Sequence, residues 1–194
     1  MDIIAIIEKY VELNVRRENL NEAIQSEKDG YIYAKIEGEE AYHDGRYESE
    51  KGYNESARRH NENQKKSEKE LLQVEQLLHF THQTYTKAIE SLNEIQLKEA
   101  AITISSRKDD LERKIKELSQ RRDWASSKGD VAYSKQDYKE EQEFNRVATE
   151  CYLEIKKIEP ALHYYEAFIN NLNYHADKKV EQDFGLNSKN KKLK

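Results

Sequence analysis

The chain has 194 residues and a net charge of −5, and its 37% charged against 36% hydrophobic residues set a mean hydropathy of −1.09 that only a chain with regular patterning can reconcile with a folded core. That length allows one or two domains, the 13 tyrosines argue against a disordered chain, and one proline with six glycines excludes a β-rich fold, which needs a turn every ten residues or so. The sole cysteine, Cys151, excludes an internal disulfide, no stretch approaches the ~18 apolar residues of a membrane span, and the small mixed charge gives no general attraction to nucleic acid or anionic lipid.

The first segment, MDIIAIIEKY, opens on an acid and carries an apolar run too short for a signal peptide. A cytoplasmic location is therefore expected, or export by a signal-less secretion route. Ile3 or Ile4, Ile7, Val11, Leu20 and Ile24 keep helical spacing. Asp29-Gly30 reads as a helix stop, with glycine supplying a left-handed cap. A second helix is predicted near 31–44, ending at Asp44-Gly45, and a third from near Tyr47 past Leu78 toward Leu92. A helix from about Glu94 carries Leu97, Ile102, Leu111, Ile115 and Leu118, and Ser126 to Asp130 reads as a break. A further helix to about Lys135 and another from Tyr138 to Ile158 follow. Pro160 then suits the first turn of a last helix, where its missing N–H costs nothing. The end of the chain, 183–194, reads as a basic flexible tail.

A shift of 91 residues superimposes the chain on itself without a gap. Arg16, Leu20 and Ile24 fall on Arg107, Leu111 and Ile115, Ala34 on Ala125, and Gly38 on Gly129. Ala41, Tyr42 and Tyr47 fall on Ala132, Tyr133 and Tyr138, and Asn54 and Ala57 on Asn145 and Ala148. Tyr33 pairs with Trp124 and Tyr53 with Phe144. A series of glycine, alanine and aromatic matches in one register points to a supersecondary unit used twice: repeat copy one at 1–91 and copy two at 92–182. The fold class expected is all-α, a tandem duplication of helical hairpins.

A second reading of the same residues stays open. Leu20, Ile24, Glu27, Tyr31, Ala34, Gly38, Ala41 and Gly45 are spaced by alternating steps of four and three, and so are Leu111, Ile115, Leu118, Arg122, Ala125, Gly129, Ala132 and Gln136. That is heptad spacing, so each pair of early helices can be one long coiled-coil helix. A single glycine inside a helix costs only ~1 kcal/mol and does not forbid it.

The segment from Gly38 to Tyr47, with Tyr53 and Ala57, resembles a tetratricopeptide repeat, as do Trp124, Gly129, Ala132, Tyr133, Tyr138, Phe144 and Ala148. The resemblance makes Gly38, Ala41, Ala57, Gly129, Ala132 and Ala148 small positions of helix contact. It makes Tyr42, Tyr47, Tyr133 and Tyr138 large filling positions, all of them scaffold. It implies peptide or protein binding on a helical surface and no catalysis. The sequence departs from that family in its 91-residue period, in Glu37 and Lys128 before the glycines, and in Glu50 and Glu141.

Motifs that carry chemistry are few. Glu40-Ala-Tyr-His43 has the spacing of a carboxylate di-iron ligand pair, but its repeat positions are Val131 and Ser134. His79 and His82 stand one helical turn apart without a cysteine or acidic cluster to complete a zinc site. Cys151 lacks the neighbouring base that a reactive thiol needs. No phosphate loop, nucleophile elbow or HExxH is present. No catalytic residue, metal or cofactor is therefore expected. The expected function is a non-enzymatic module, an adaptor, chaperone, inhibitor or effector, that binds a partner protein. The alternatives are a structural coiled-coil homodimer and, against the acidic charge, a nucleic-acid binder using short basic clusters. The residues expected to meet a partner are Tyr31, Arg46, Arg58, Arg59, Arg121 and Arg122, because aromatic and arginine side chains anchor interfaces.

Overall fold

In a computed structural model the backbone is described for residues 2–191 and the side chains for 2–181; the flexible basic tail expected over 183–194 lies outside the described side chains. Four α-helices make up the described residues: α1 (Ile3–His43), α2 (Tyr47–Ser91), α3 (Glu94–Ser134) and α4 (Tyr138–Lys191). The fold is all-α, with no strand among the described residues. α1 and α3 start and stop 91 residues apart, and so do the starts of α2 and α4.

The two turns repeat as well. In the first, Gly45 N–H donates to Tyr42 O at 3.0 Å and Arg46 N–H to Ala41 O at 2.8 Å. In the second, Gln136 N–H donates to Tyr133 O at 2.9 Å and Asp137 N–H to Ala132 O at 3.0 Å. Both are Schellman stops, in which two orphan carbonyls are satisfied across a residue in the left-handed region. That residue is Gly45 at φ +70° in one and Gln136 at φ +60° in the other. α3 begins on a capping box in which Asn93 accepts from Gln96 N–H while the Gln96 side chain accepts from Asn93 N–H.

Three expected breaks are absent. Gly30 lies inside α1, residues 126–130 lie inside α3, and Pro160 lies inside α4. The continuous heptad reading is the one the molecule adopts. Ile24, Ala34, Gly38 and Ala41 are buried and Leu20, Glu27 and Tyr31 half-buried, and the stripe of α3 from Leu111 to Ala132 follows the same pattern. One stripe facing a neighbour over six turns outweighs the ~1 kcal/mol of a single glycine. At Pro160 the buried Cys151 and Ile155 before it and Ala161, Phe168 and Leu172 after it hold both halves of α4 against neighbouring helices. Packing there overrides the lost backbone hydrogen bond.

The chain forms two compact units, Met1–Val15 with Thr81–Lys194, and Arg16–Phe80. In the larger unit, segments of all four helices surround one core. Ile3, Ile6, Ile7 and Val11 of α1 meet Tyr85, Ala88 and Ile89 of α2, Leu97 and Ile104 of α3, and Phe168, Leu172 and Ala176 of α4. Phe168 is its hub, with the rings of Tyr85 and Tyr10 set edge-on at 4.9 and 5.3 Å. α3 and α4 then continue as a pair through the buried Ala125, Gly129, Ala132, Cys151 and Ile155.

The smaller unit is a helical hairpin. Its seam is Ile24, Ala34, Gly38 and Ala41 on α1 and Ala57, Val74 and Leu78 on α2. Arg16 donates from Nε and Nη2 to one oxygen of Glu70 at 3.0 and 2.7 Å. Midway along, His60 Nδ1 lies 2.6 Å from Glu27 Oε2, and its ring rests on Gly30, where a Cβ would come within 2.7 Å of it.

Candidate interaction surface at the helix turns

Each Schellman stop reverses the chain in three residues, so side chains just before and just after it stand side by side. Tyr42 and Tyr47 flank the first turn with ring centroids 6.3 Å apart at 70°. Tyr133 and Tyr138 flank the second with the same separation and the same angle. Edge-to-face tyrosines attract one another through their quadrupoles while leaving faces and hydroxyls in water. All four are more than half exposed, between 57% and 65%. The resemblance sets them between hairpins; here they face solvent, and the small residues beneath them make the contact between the two helices. Ala41, Ala57 and Ala132 are at most 2% exposed, Gly38 and Gly129 are buried, and Ala148 is half-buried. The glycines let the second helix approach closely. A Cβ at Gly38 would meet Tyr53 Cβ at 3.4 Å, and one at Gly129 would meet Asn145 Oδ1 at 3.0 Å.

About two turns of helix further from each stop a second aromatic site repeats. Trp124 packs edge-on against Phe144 at 5.5 Å, with the indole half exposed. At the matching positions Tyr33 is exposed near Tyr53, and the Glu37 carboxylate beside it holds its phenol above the usual range. Ile32 and Ile36 are also exposed on that hairpin and Val131 on the other.

The residues expected to meet a partner are scattered. Arg46 sits in the first turn and is paired with Asp44 at 2.9 Å. Arg58 and Arg59 are exposed further along α2, Arg58 at 3.8 Å from Glu62. Arg121 is exposed on α3. Tyr31 and Arg122 are less exposed than the other four. They occupy the same position of the repeat and lie half-buried on the heptad stripe, where Arg122 donates to Asp123 at 2.8 and 3.0 Å. The heptad spacing was the signal that places them there. The same register turns Tyr42 and Tyr133 outward, since each immediately follows a stripe position, Ala41 or Ala132.

Other candidates resolve less. His43 stacks edge-on against Tyr42, and Cys151 is buried in the α3–α4 seam. Among the described residues no group of three or more His, Cys, Asp or Glu is placed to hold a metal. In the larger unit a cleft of about 430 Å³ opens between α2 and α4, with His82, Tyr85, Asn171, His175 and Lys178 on its walls. Its polar groups are largely engaged. Tyr85 OH donates to Asn171 Oδ1 at 2.9 Å, the Thr86 hydroxyl to His82 O, and the Lys179 ammonium to the carbonyls of Glu90 and Leu92 at the end of α2. Burial holds the Tyr85 phenol well above its usual range, so it stays neutral. No helix among the described residues is long and apolar enough to cross a membrane.

In comparison with known proteins, no family model, no curated protein and no solved structure matches this chain. A tetratricopeptide hairpin fits two helices into about 34 residues, whereas α1 and α3, the shortest helices here, have 41 each. The small and aromatic positions that prompted the resemblance fall on long helices and on their turns.

Proposed function

We propose that the protein is a non-enzymatic binding module that engages a partner protein through the exposed aromatic groups at its two helix turns. The observation that carries this reading is the repetition of one arrangement. The Tyr42–Tyr47 and Tyr133–Tyr138 pairs share separation, angle and exposure across two copies of a duplicated segment. Tyrosine supplies contact area at small entropic cost, which suits it to anchor an interface. A rigid two-helix support beneath each pair limits what must be ordered on binding.

Dimerisation through the heptad helices has less support. The stripe that would mediate it, Ile24, Ala34, Gly38 and Ala41, is already buried within its own hairpin. Nucleic-acid binding has less again, since Arg46, Arg58 and Arg122 each lie beside a carboxylate.

The test is affinity capture from source lysate with the tagged chain and with a variant carrying Tyr→Ala at 42, 47, 133 and 138. A stoichiometric protein that co-purifies with the first and is lost with the second is the expected result, with unchanged far-UV circular dichroism as the folding control. A partner captured in equal yield by both would overturn the reading.

A further inference from the structure

The two turns share their aromatic pair but not their charge. Over residues 37–51 there are six carboxylates (Glu37, Glu39, Glu40, Asp44, Glu48, Glu50) and two cations (Arg46, Lys51), a net of −4. Over the matching residues 128–142 there are four carboxylates and three lysines, a net of −1. The change is concentrated beside the tyrosines. Glu40, Asp44 and Glu48 of the first turn become Val131, Lys135 and Lys139 in the second. Glu39, Glu40 and Glu48 are exposed, while Asp44 and Glu50 are engaged by Arg46 and Asn54. The first turn therefore offers two exposed tyrosines and, within a few residues of them in the chain, three exposed carboxylates that no cation of the chain pairs with among the described residues.

We infer that the Tyr42–Tyr47 turn docks a lysine- and arginine-rich segment of the partner protein, while the Tyr133–Tyr138 turn does not discriminate by charge. This rests on reading the turns as the binding surface and names the chemistry of what the first of them takes. An ammonium or guanidinium is attracted to an aromatic face and gains more when carboxylates stand at the ring edge. The apolar stems of Lys and Arg cover the exposed rings while their charged ends reach Glu39 and Glu48, with the Glu40 charge adding to the attraction of the turn as a whole. An acidic segment meets like charge at the first turn and is rejected there.

The experiment uses the full chain and a fluorescein-labelled ten-residue peptide of alternating Lys and Ser, followed by anisotropy at low salt, with a Glu–Ser peptide as comparison. The Lys–Ser peptide is expected to bind. The affinity is expected to fall about tenfold or more for the Tyr42→Ala/Tyr47→Ala variant and for the Glu39→Gln/Glu40→Gln/Glu48→Gln variant. It is expected to hold within about twofold for Tyr133→Ala/Tyr138→Ala and for Glu99→Gln/Glu117→Gln/Glu143→Gln, which removes the same charge elsewhere. Equal loss in the two glutamate variants reduces the binding to net charge and overturns the inference, as does equal affinity for the acidic peptide or no binding of the basic one. If the captured partner is nevertheless lost with the tyrosine variants, the turns remain the binding surface and only the basic preference falls. If it is retained, the binding surface itself is misassigned.

Discussion

The two helix stops are built alike but from different residues, and exchanging those residues isolates one backbone term. Gln136 is the only non-glycine residue at positive φ among the described residues. Holding an L-residue there costs ~1–2 kcal/mol, of which the greater freedom of unfolded glycine would give back ~0.5–1 kcal/mol on replacement. Gln136→Gly is therefore expected to stabilise the larger unit by about 0.5–1 kcal/mol. Gly45→Gln should destabilise the smaller unit by a similar amount, because a Cβ at Gly45 meets nothing within 4 Å and only the backbone conformation resists it. With a urea m-value near 2 kcal/mol/M, each change moves a midpoint by about 0.3–0.5 M. The lone Trp124, packed on Phe144, reports on the α3–α4 pair by fluorescence, and far-UV circular dichroism reports on the whole chain. The two compact units need not unfold together, so each midpoint is read from its own transition. If Gln136→Gly is neutral or destabilising while Gly45→Gln is harmless, the left-handed residue does not govern these stops and the reasoning fails.

Three further outcomes follow from the geometry. Gly30→Ala should be nearly neutral in the native sequence, because the ~1 kcal/mol gain in helix propensity is offset by expelling the His60 ring from Glu27; in a His60→Ala background it should stabilise by ~1 kcal/mol, and a double-mutant cycle showing no coupling would refute the contact. Tyr85 ionises in the folded state only well above the unfolded value of 10.0, so its contribution is complete below pH 10 and is lost as pH rises beyond it; Tyr85→Phe should cost ~1 kcal/mol at neutral pH and shallow the alkaline decline seen in urea titrations, and an unchanged decline would argue against this. Pro160→Ala restores a backbone donor within α4 and should stabilise the larger unit, by about 3 kcal/mol at most, as measured by its thermal midpoint.

The sequence exposed the helical class, the 91-residue repeat and the turn at Asp44-Gly45, because each leaves a local mark in spacing, identity or glycine. It gave false marks at Gly30, at residues 126–130 and at Pro160. All three are local breakers, and what defeats them is the contact of a long stripe with a neighbouring helix, which no local window contains. The candidate surface was hidden for a related reason. Tyr42 and Tyr133 follow the buried Ala41 and Ala132 immediately, and one residue on a helix turns a side chain from seam to solvent. Once the heptad register is chosen, Tyr31 and Arg122 move inward and the tyrosine pairs outward. The register was legible; the choice between registers was not.

A duplicated chain faces the hazard that a helix of one copy folds against the wrong copy's partner. α1 and α3 share a stripe, and α2 and α4 share the positions that receive it. The contact of Glu27 with His60 over Gly30 breaks this equivalence, since the matching positions in the second copy are Leu118, Cys151 and Arg121. An exchanged pairing of α1 with α4 would set the Glu27 carboxylate against a thiol and leave it without its imidazole. One of α3 with α2 would set Leu118 against His60 in its place. Each mismatch separates a half-buried carboxylate from the imidazole it meets in its own hairpin, so a single polar layer favours the native one of two nearly identical pairings.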